Sequence, residues 1–158
     1  MAETKTNAVR IVETHGCRYT LHSYVCKEAV DGVTVARMLG VDAGRVYKTL
    51  VTQGKSGAYF VFVVPVEAEL DLKKAARSVD EKAVAMIPVK DINKVTGYVR
   101  GGCSPVGMKK QYVTRIDESA ILQEEIFVSA GRIGQQMEIS PDSLIEIAGA
   151  QYADITMI

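Results

Sequence analysis

The sequence carries no surplus of either charge. Lysine and arginine together number 19, and so do aspartate and glutamate, so the formal net charge is zero. Proteins that hold nucleic acid through bulk charge present a basic surface, and this composition argues against that mode of binding. A local basic cleft is the remaining way for this chain to hold a nucleic acid.

Cysteine and histidine are also scarce. The three cysteines, Cys17, Cys26 and Cys103, are odd in number and widely spaced, which favours reduced thiols over a disulfide framework. The two histidines, His15 and His22, belong to no CxxC or HExxH pattern. We therefore expect no metal site and no cofactor.

Long apolar runs are missing as well. Residues 1–6 are polar, and no apolar stretch approaches the length of about 20 residues that spans a bilayer. The sequence predicts no signal peptide, no membrane contact and a cytoplasmic location.

Short strands and helices are what the sequence does contain. Helical spacing marks 6–15, 33–39, 71–76, 89–95 and the segment after Ser140, and strand patterns mark 18–25, 46–51, 58–64, 82–87, 112–116, 125–128 and 136–139. No linker or internal repeat interrupts them. We predict an α+β fold in one domain, residues 1–158, with a mixed, strongly curved, barrel-like sheet flanked by short helices.

One lysine lies within a strand pattern. Along 46–51, Lys48 shares a face with Val46 and Leu50, and the opposite face (Tyr47, Thr49 and Val51) is expected to pack. An ammonium between apolar neighbours either extends to water or meets an anion in a cleft. If this strand is considered by itself, the favoured interpretation is that the Lys48 side chain extends to water.

A glycine-rich loop at 97–107 is the strongest loop signal in the chain. Gly101 and Gly102 allow the backbone to approach a ligand closely, and Ser104 adds a hydroxyl. A plain tight turn is the commoner meaning of such a loop. Cys103 invites interpretation as a nucleophile, but no residue pattern supplies it with a base, so a spacer role is favoured.

Four motifs, taken in order, resemble those of one family. They are VYKTL at 46–50, LDLKK at 70–74, GY with GGCSP across 97–105, and VSAG at 128–131. In order and spacing they resemble the bacterial YbaK-type Cys-tRNA(Pro) deacylases, which are relatives of the editing domain inserted in many prolyl-tRNA synthetases. Each motif alone is unspecific, whereas the ordered set covers nearly the whole chain.

The resemblance implies a trans-editing reaction. Prolyl-tRNA synthetase mischarges its tRNA with cysteine, since a pocket discriminates weakly between side chains of similar size. In the family, the substrate's own cysteine thiol attacks the aminoacyl ester, and the tRNA 3′ end departs. The protein contributes positioning and electrostatics.

The resemblance also implies roles for particular residues. Lys48 would fix the terminal adenosine and its phosphate, Gly101 would hold the aminoacyl group with its backbone, and Tyr24 would offer a hydroxyl. The implied substrate-binding residues are Gly102, Ser104, Ser129 and Gln136. Gln136 stands where better-known members have an aspartate, so it can accept a hydrogen bond but brings no charge to an α-ammonium.

The implied partners are misacylated tRNA(Pro) and, transiently, prolyl-tRNA synthetase. Because the chain has no basic surplus, we expect it to gain tRNA specificity beside the synthetase, where its local concentration is high. Three alternatives stay open: a deacylase for alanyl or seryl esters, a non-catalytic module that binds nucleotides or an RNA end, and a hydrolase that uses Cys103.

Overall fold

The computed structural model describes residues 4–157 of the chain. Its helices are α1 (Asn7–Thr14), α2 (Gly32–Leu39), α3 (Leu72–Ser78), α4 (Ile92–Thr96) and α5 (Pro141–Ala148), with 3-10 turns at Ala43–Arg45, Val89–Asp91 and Glu118–Leu122. Its strands are β1 (Tyr19–Ser23), β2 (Tyr47–Gly54), β3 (Tyr59–Pro65), β4 (Val84–Met86), β5 (Val113–Asp117), β6 (Ile126–Ser129), β7 (Gln135–Ile139) and β8 (Gln151–Ala153).

Polar caps fix where the helices begin. The Asp71 carboxylate accepts hydrogen bonds from the backbone N–H groups of Lys73 and Lys74, both at 3.0 Å, at the start of α3. Ser140 caps α5, and Pro141 fills its first position, where a missing N–H costs nothing. Both caps confirm the starts that the sequence predicts.

The larger sheet has the strand order β4-β2-β3-β5-β8. Strands β2 and β3 pair antiparallel from Tyr47 opposite Pro65 to Gln53 opposite Tyr59, whereas β3 with β5 and β5 with β8 pair in parallel. The centre of this sheet is closed to solvent, because Phe62, Val63 and Val64 of β3 are fully buried. Burial of each such side chain contributes roughly 1.5–3 kcal/mol.

The smaller sheet is antiparallel, with the order β1-β7-β6. Within residues 4–157, a single parallel bridge between Val46 and Phe127 joins it to the larger sheet. Both residues are buried and pack with Ala36 and Val66. Within the described residues, β2 and β6 themselves do not pair and belong to different sheets. We call the region of this bridge the fork.

The predicted α+β class with short flanking helices is confirmed. The strands divide into two sheets joined at the fork, where the sequence had suggested one mixed sheet, because β6 pairs with β7 rather than continuing along β2. The barrel-like curvature and the single domain spanning 1–158 stay predictions, and residues 1–3 and 158 lie outside the described part. A helix that crosses a bilayer needs about 20 apolar residues, and residues 4–157 contain none of that kind.

Candidate active-site cleft

A cleft of about 510 Å³ opens at the fork. One wall is β2 from Tyr47 to Val51, and the facing wall carries Ser129 of β6 and Gln136 of β7. The other walls are the segment that leads into α2, the glycine loop at 97–107, and the apolar side chains of Met86, Ile87, Val89 and Ile92. The cleft therefore lies beside the bridge that joins the two sheets and is bounded by residues of both.

The edge of β2 along this cleft is open. On that side β4 pairs only with Thr52 to Gly54, so, among the described residues, β2 has β3 as its one strand neighbour from Tyr47 to Leu50. The Val46 carbonyl accepts from the Val66 N–H at 2.8 Å, so Val46 turns its main-chain groups toward β3. Main-chain groups alternate between the two edges of a strand, so those of Thr49 point toward the cleft.

Lys48 lines the cleft and is half-buried on β2, opposite Val64 of β3. Arg100 and Asp31 are exposed residues that also line it. Asp31 Oδ1 accepts from the Thr34 N–H at 2.7 Å, and this bond lowers the pKa of the carboxyl, which is therefore ionised at neutral pH. The cleft thus brings two cations and one capping carboxylate to an apolar opening.

The glycine loop approaches the cleft at Gly101. This residue has φ +82°, and a Cβ there would lie 2.6 Å from the Ala29 Cβ, so the site requires glycine for both conformation and space. Deeper in the loop, the Tyr98 hydroxyl donates to the Val106 carbonyl at 2.6 Å. The buried Ser104 Oγ accepts from the Val106 N–H at 3.3 Å. These bonds fix the loop from below and leave Gly101 exposed at the cleft.

Ser129 and Gln136 lie directly opposite each other on β6 and β7. The Ser129 Oγ accepts from the Gly131 N–H at 3.2 Å. Gln136 is only 6% exposed, and its Oε1 is buried without a hydrogen-bond partner in the described part of the chain. The Oγ1 of Thr49, across the cleft on β2, is in the same condition.

The sequence profile of the aminoacyl-tRNA editing domain matches residues 26–147. The chain belongs to this family. It is 43% identical over 155 residues (98% of this chain and 94% of the relative) to EbsC of Enterococcus faecalis, a proposed Cys-tRNA(Pro)/Cys-tRNA(Cys) deacylase. A stretch of 75 residues (48% of this chain) is 36% identical to part of the proline–tRNA ligase of Fervidobacterium nodosum, of which it covers 13%.

Solved structures agree with this assignment. The fold matches a proposed trans-editing enzyme for prolyl-tRNA synthetase with a TM-score of 0.82 and 25% identity, covering 99% of this chain and 100% of that one. The family resemblance that the ordered motifs indicate is thus confirmed.

This editing domain brings four of the seven predicted site residues to the cleft: Lys48, Gly101, Ser129 and Gln136. The other three do not line it. Gly102 is buried against the Arg132 backbone, Ser104 lies beneath the loop, and Tyr24 follows β1, where its N–H donates to the Gly134 carbonyl at 2.9 Å. Their predicted roles stay predictions, and Ser104 has a structural contact that accounts for its burial.

Cys103 does line the cleft, but its environment disfavours a thiolate. Burial raises the pKa of this thiol to about 11, although a hydrogen bond with Thr96 opposes the rise. His22 pairs with Glu138 at 2.9 Å, and His15 with the Ile11 carbonyl at 2.9 Å. Of the described residues, no histidine lines the cleft, so nothing there resembles a cysteine–histidine pair.

Several cleft residues were missed by the sequence analysis, Thr49 and Arg100 among them. Thr49 was assigned to the packed face of β2; Tyr47 and Val51 of that face are buried, but Thr49 is half-buried beside the open edge. Arg100 was seen only as a loop residue. A strand pattern gives the alternation of side chains but not where a neighbouring strand ends, so no sequence signal marked Thr49.

Proposed function

We propose that this chain is a trans-editing aminoacyl-tRNA deacylase that acts on Cys-tRNA(Pro). The observation that supports this most is that Lys48 and Gly101 line one cleft together with buried acceptor groups. The cleft offers a cation, a close backbone approach and a polar wall at Ser129 and Gln136, and none of its described residues is an activated nucleophile. Such a site suits a substrate that carries its own nucleophile.

The reaction proceeds within the substrate. The cysteinyl sulfur, having lost its proton, attacks the carbonyl carbon of the same residue's ester. A C–S bond forms, the C–O bond to the tRNA breaks, and the 3′ oxygen leaves with a proton taken up from solvent. Water then opens the cyclic thioester to free cysteine. The protein holds the sulfur and the carbonyl in reacting geometry, which is the contribution that orientation alone can supply.

The residues divide this work between them. Lys48 contacts the phosphate and ribose of the terminal adenosine as a point charge, and Arg100 adds positive potential beside it. Gly101 supports the aminoacyl group through its backbone. Ser129 and Gln136 form the polar end of the pocket.

The proposed partners are tRNA(Pro) and, transiently, prolyl-tRNA synthetase. With a net charge of zero, the free protein is expected to bind tRNA weakly and with little sequence preference. Proximity to the synthetase raises the local concentration of the correct tRNA. Full discrimination between tRNA(Pro) and tRNA(Cys) in the absence of synthetase would defeat this part of the proposal. A cytoplasmic location follows from the substrate and stays a prediction.

A panel of charged tRNAs tests the reaction. Purified protein is incubated with labelled Cys-, Ala-, Ser- and Pro-tRNA(Pro), and released amino acid is measured. We expect rapid loss of cysteine and little loss of the other three, which have no thiol. Efficient release of alanine or serine would favour the alternative editing specificity, and saturable binding without any release would favour a non-catalytic module.

A further inference from the structure

The cleft is too small to hold more than the end of a tRNA. Its volume is about 510 Å³, which is in the range of pockets that enclose one small molecule. An aminoacyl group with its terminal nucleoside fills such a space, so the helical acceptor arm must lie on an outer face of the protein. Because every phosphate of that arm carries negative charge, the face that receives it should be basic.

Charge is unevenly distributed along the chain, although it sums to zero. Residues 88–116 contain six lysine or arginine residues and a single carboxylate, Asp91. Residues 117–158 contain eight aspartate or glutamate residues and a single cation, Arg132. The net charge of zero therefore conceals one basic segment, and clustered basic residues are the electrostatic sign of a nucleic-acid contact.

Five of the six cations in this segment are exposed. We call these five residues the basic surface: Lys90, Lys94, Arg100, Lys109 and Lys110. The sixth, Arg115, is half-buried, and its Nε donates to the Ser78 carbonyl at 3.1 Å. Within residues 4–157, none of the five forms an ion pair with a carboxylate. Their positive charge is therefore available to a polyanion.

Helix α4 and the turn before it have two different sides. Val89 and Ile92 line the cleft, whereas Lys90 and Lys94, four residues apart, are exposed. The segment that forms this apolar wall of the cleft thus carries two lysines on its solvent side. A polyanion that leaves the cleft over this wall meets both of them.

The remaining members extend the basic surface on either side of α4. Arg100 follows the helix and lines the cleft itself. Lys109 is fixed beside the end of α4, because its N–H donates to the Thr96 carbonyl at 3.0 Å and its Nζ to the Lys94 carbonyl at 3.2 Å. The basic surface therefore extends from the cleft, across the exposed side of α4, to Lys109 and Lys110.

We propose that the basic surface binds the backbone phosphates of the tRNA acceptor arm whose 3′ end occupies the cleft. This inference rests on the proposed function and adds an outer contact to it. Lysines contact phosphate as point charges and read no bases. The surface therefore positions any tRNA equally, and the preference for tRNA(Pro) comes from the synthetase.

A pair of substitutions with a matched control tests this surface. Lys90→Gln/Lys94→Gln should raise the KM for Cys-tRNA(Pro) about fivefold at about 0.1 M salt, with kcat and the unfolding midpoint unchanged. The slope of log KM against log salt concentration should fall by about 2, which is about 1 for each lysine.

The control removes the same charge elsewhere. Lys55 and Lys82 are exposed, and the Lys55 N–H donates to the Ala83 carbonyl at 3.0 Å, so the two lysines belong to one region. No residue of 52–65 or 67–85 lines the cleft. Lys55→Gln/Lys82→Gln should therefore change neither KM nor its salt dependence.

A short substrate separates the outer contact from the cleft. The cysteinyl ester of the terminal trinucleotide can enter the cleft but has no acceptor arm. Lys90→Gln/Lys94→Gln should hydrolyse this ester as fast as the unmodified protein does, whereas Lys48→Ala should slow the hydrolysis of both substrates. Equal impairment of the lysine pair on the two substrates would mean that these lysines act within the cleft, and the outer contact would be wrong.

The outcomes separate this surface from the reaction itself. If the unmodified protein releases no cysteine from either substrate, the proposed function fails. If it releases cysteine and the Lys90→Gln/Lys94→Gln protein behaves like the control on Cys-tRNA(Pro), only the basic surface fails. A loss that appears only when prolyl-tRNA synthetase is present would assign the surface to that protein instead of RNA and would also overturn the proposal.

Discussion

The two halves of β2 differ in their neighbours. From Thr52 to Gly54 the strand lies between β3 and β4, and the hydroxyl of Thr52 is hydrogen-bonded. From Tyr47 to Leu50 only β3 pairs with it among residues 4–157, and the hydroxyl of Thr49 has no partner there. One strand is thus structural at one end and open to a ligand at the other, and the change occurs where β4 stops.

The largest expected effect is the loss of the lysine at the open end. Lys48→Ala should lower kcat/KM for Cys-tRNA(Pro) about a hundredfold, because it removes a charged contact of about 1.5–3 kcal/mol. The control is Lys55→Ala, an exposed lysine just past the paired end, which should change neither activity nor stability. Equal losses in the two variants would show that general positive charge, and not the cleft, matters.

A smaller effect is expected for the glycine loop. Gly101→Ala places a Cβ at positive φ and 2.6 Å from Ala29, so kcat/KM should fall about tenfold and stability by about 1–3 kcal/mol. Gly57, in the turn at the paired end, has φ +95° and open space around its Cβ position. Gly57→Ala should lower stability by about 1–2 kcal/mol with activity intact. Denaturant unfolding and deacylation kinetics measure both, and a Gly101→Ala protein with normal kcat/KM would contradict the role of the loop.

A substitution beside the fork should have an effect of intermediate size on activity. Arg45 precedes the fork, with Nη2 donating to Glu138 Oε2 at 2.8 Å and its guanidinium 5.0 Å from the Phe127 ring centre. Arg45→Ala should therefore reduce kcat/KM about threefold and stability by about 1–2 kcal/mol, with partial rescue by lysine. At the paired end, Glu81 accepts from Ser56 Oγ at 2.6 Å, so Glu81→Ala should affect stability only.

The contact between Arg45 and Glu138 predicts a pH effect on stability. Burial raises the pKa of Glu138, but hydrogen bonds from His22 and Arg45 outweigh it and hold the pKa below its ordinary 4.5. The stabilisation that these hydrogen bonds provide is therefore fully present when the pH is above the ordinary pKa, and it is lost as the pH falls through the lowered pKa. The stability difference between the unmodified protein and Arg45→Ala should shrink in acid. A constant difference would mean that the carboxylate is not involved.

The smallest expected effect is at Cys103. With a pKa of about 11 the thiol stays protonated at neutral pH, so Cys103→Ala should leave kcat/KM within about twofold and cost about 1 kcal/mol of stability. Cys17→Ala, another half-buried cysteine, is the matched control. Loss of deacylation in a folded Cys103→Ala protein would reinstate the enzyme-thiol alternative.

Local signals made much of this fold predictable. The caps at Asp71 and Ser140 and the apolar run of β3 depend on neighbours in sequence, and all three were anticipated. Strand β8, only three residues long, exists because it pairs in parallel with β5, and no local pattern announces such a strand. The division into two sheets likewise depends on long-range pairing.

The candidate site was predictable where a motif carried it. Lys48 and Gly101 were marked by strand and glycine patterns together with the family resemblance, and both line the cleft. Thr49 Oγ1 and Gln136 Oε1 are buried without a hydrogen-bond partner among the described residues. This depends on how the fold surrounds the two atoms, which residue types alone do not predict.

The cluster of side chains at the Val46–Phe127 bridge lies partly behind the cleft wall. Val46 and Val66 of this cluster line the cleft, whereas Ala36 and Phe127 are not among its lining residues. The two sheets cannot shift freely at the bridge, because Val63 and Ile116 of the larger sheet share a buried core with Met137 and Ile139 of the smaller one. A larger side chain at Ala36 would therefore press the lining valines toward the cleft, so the size of substrate that fits can be changed from a position outside its lining.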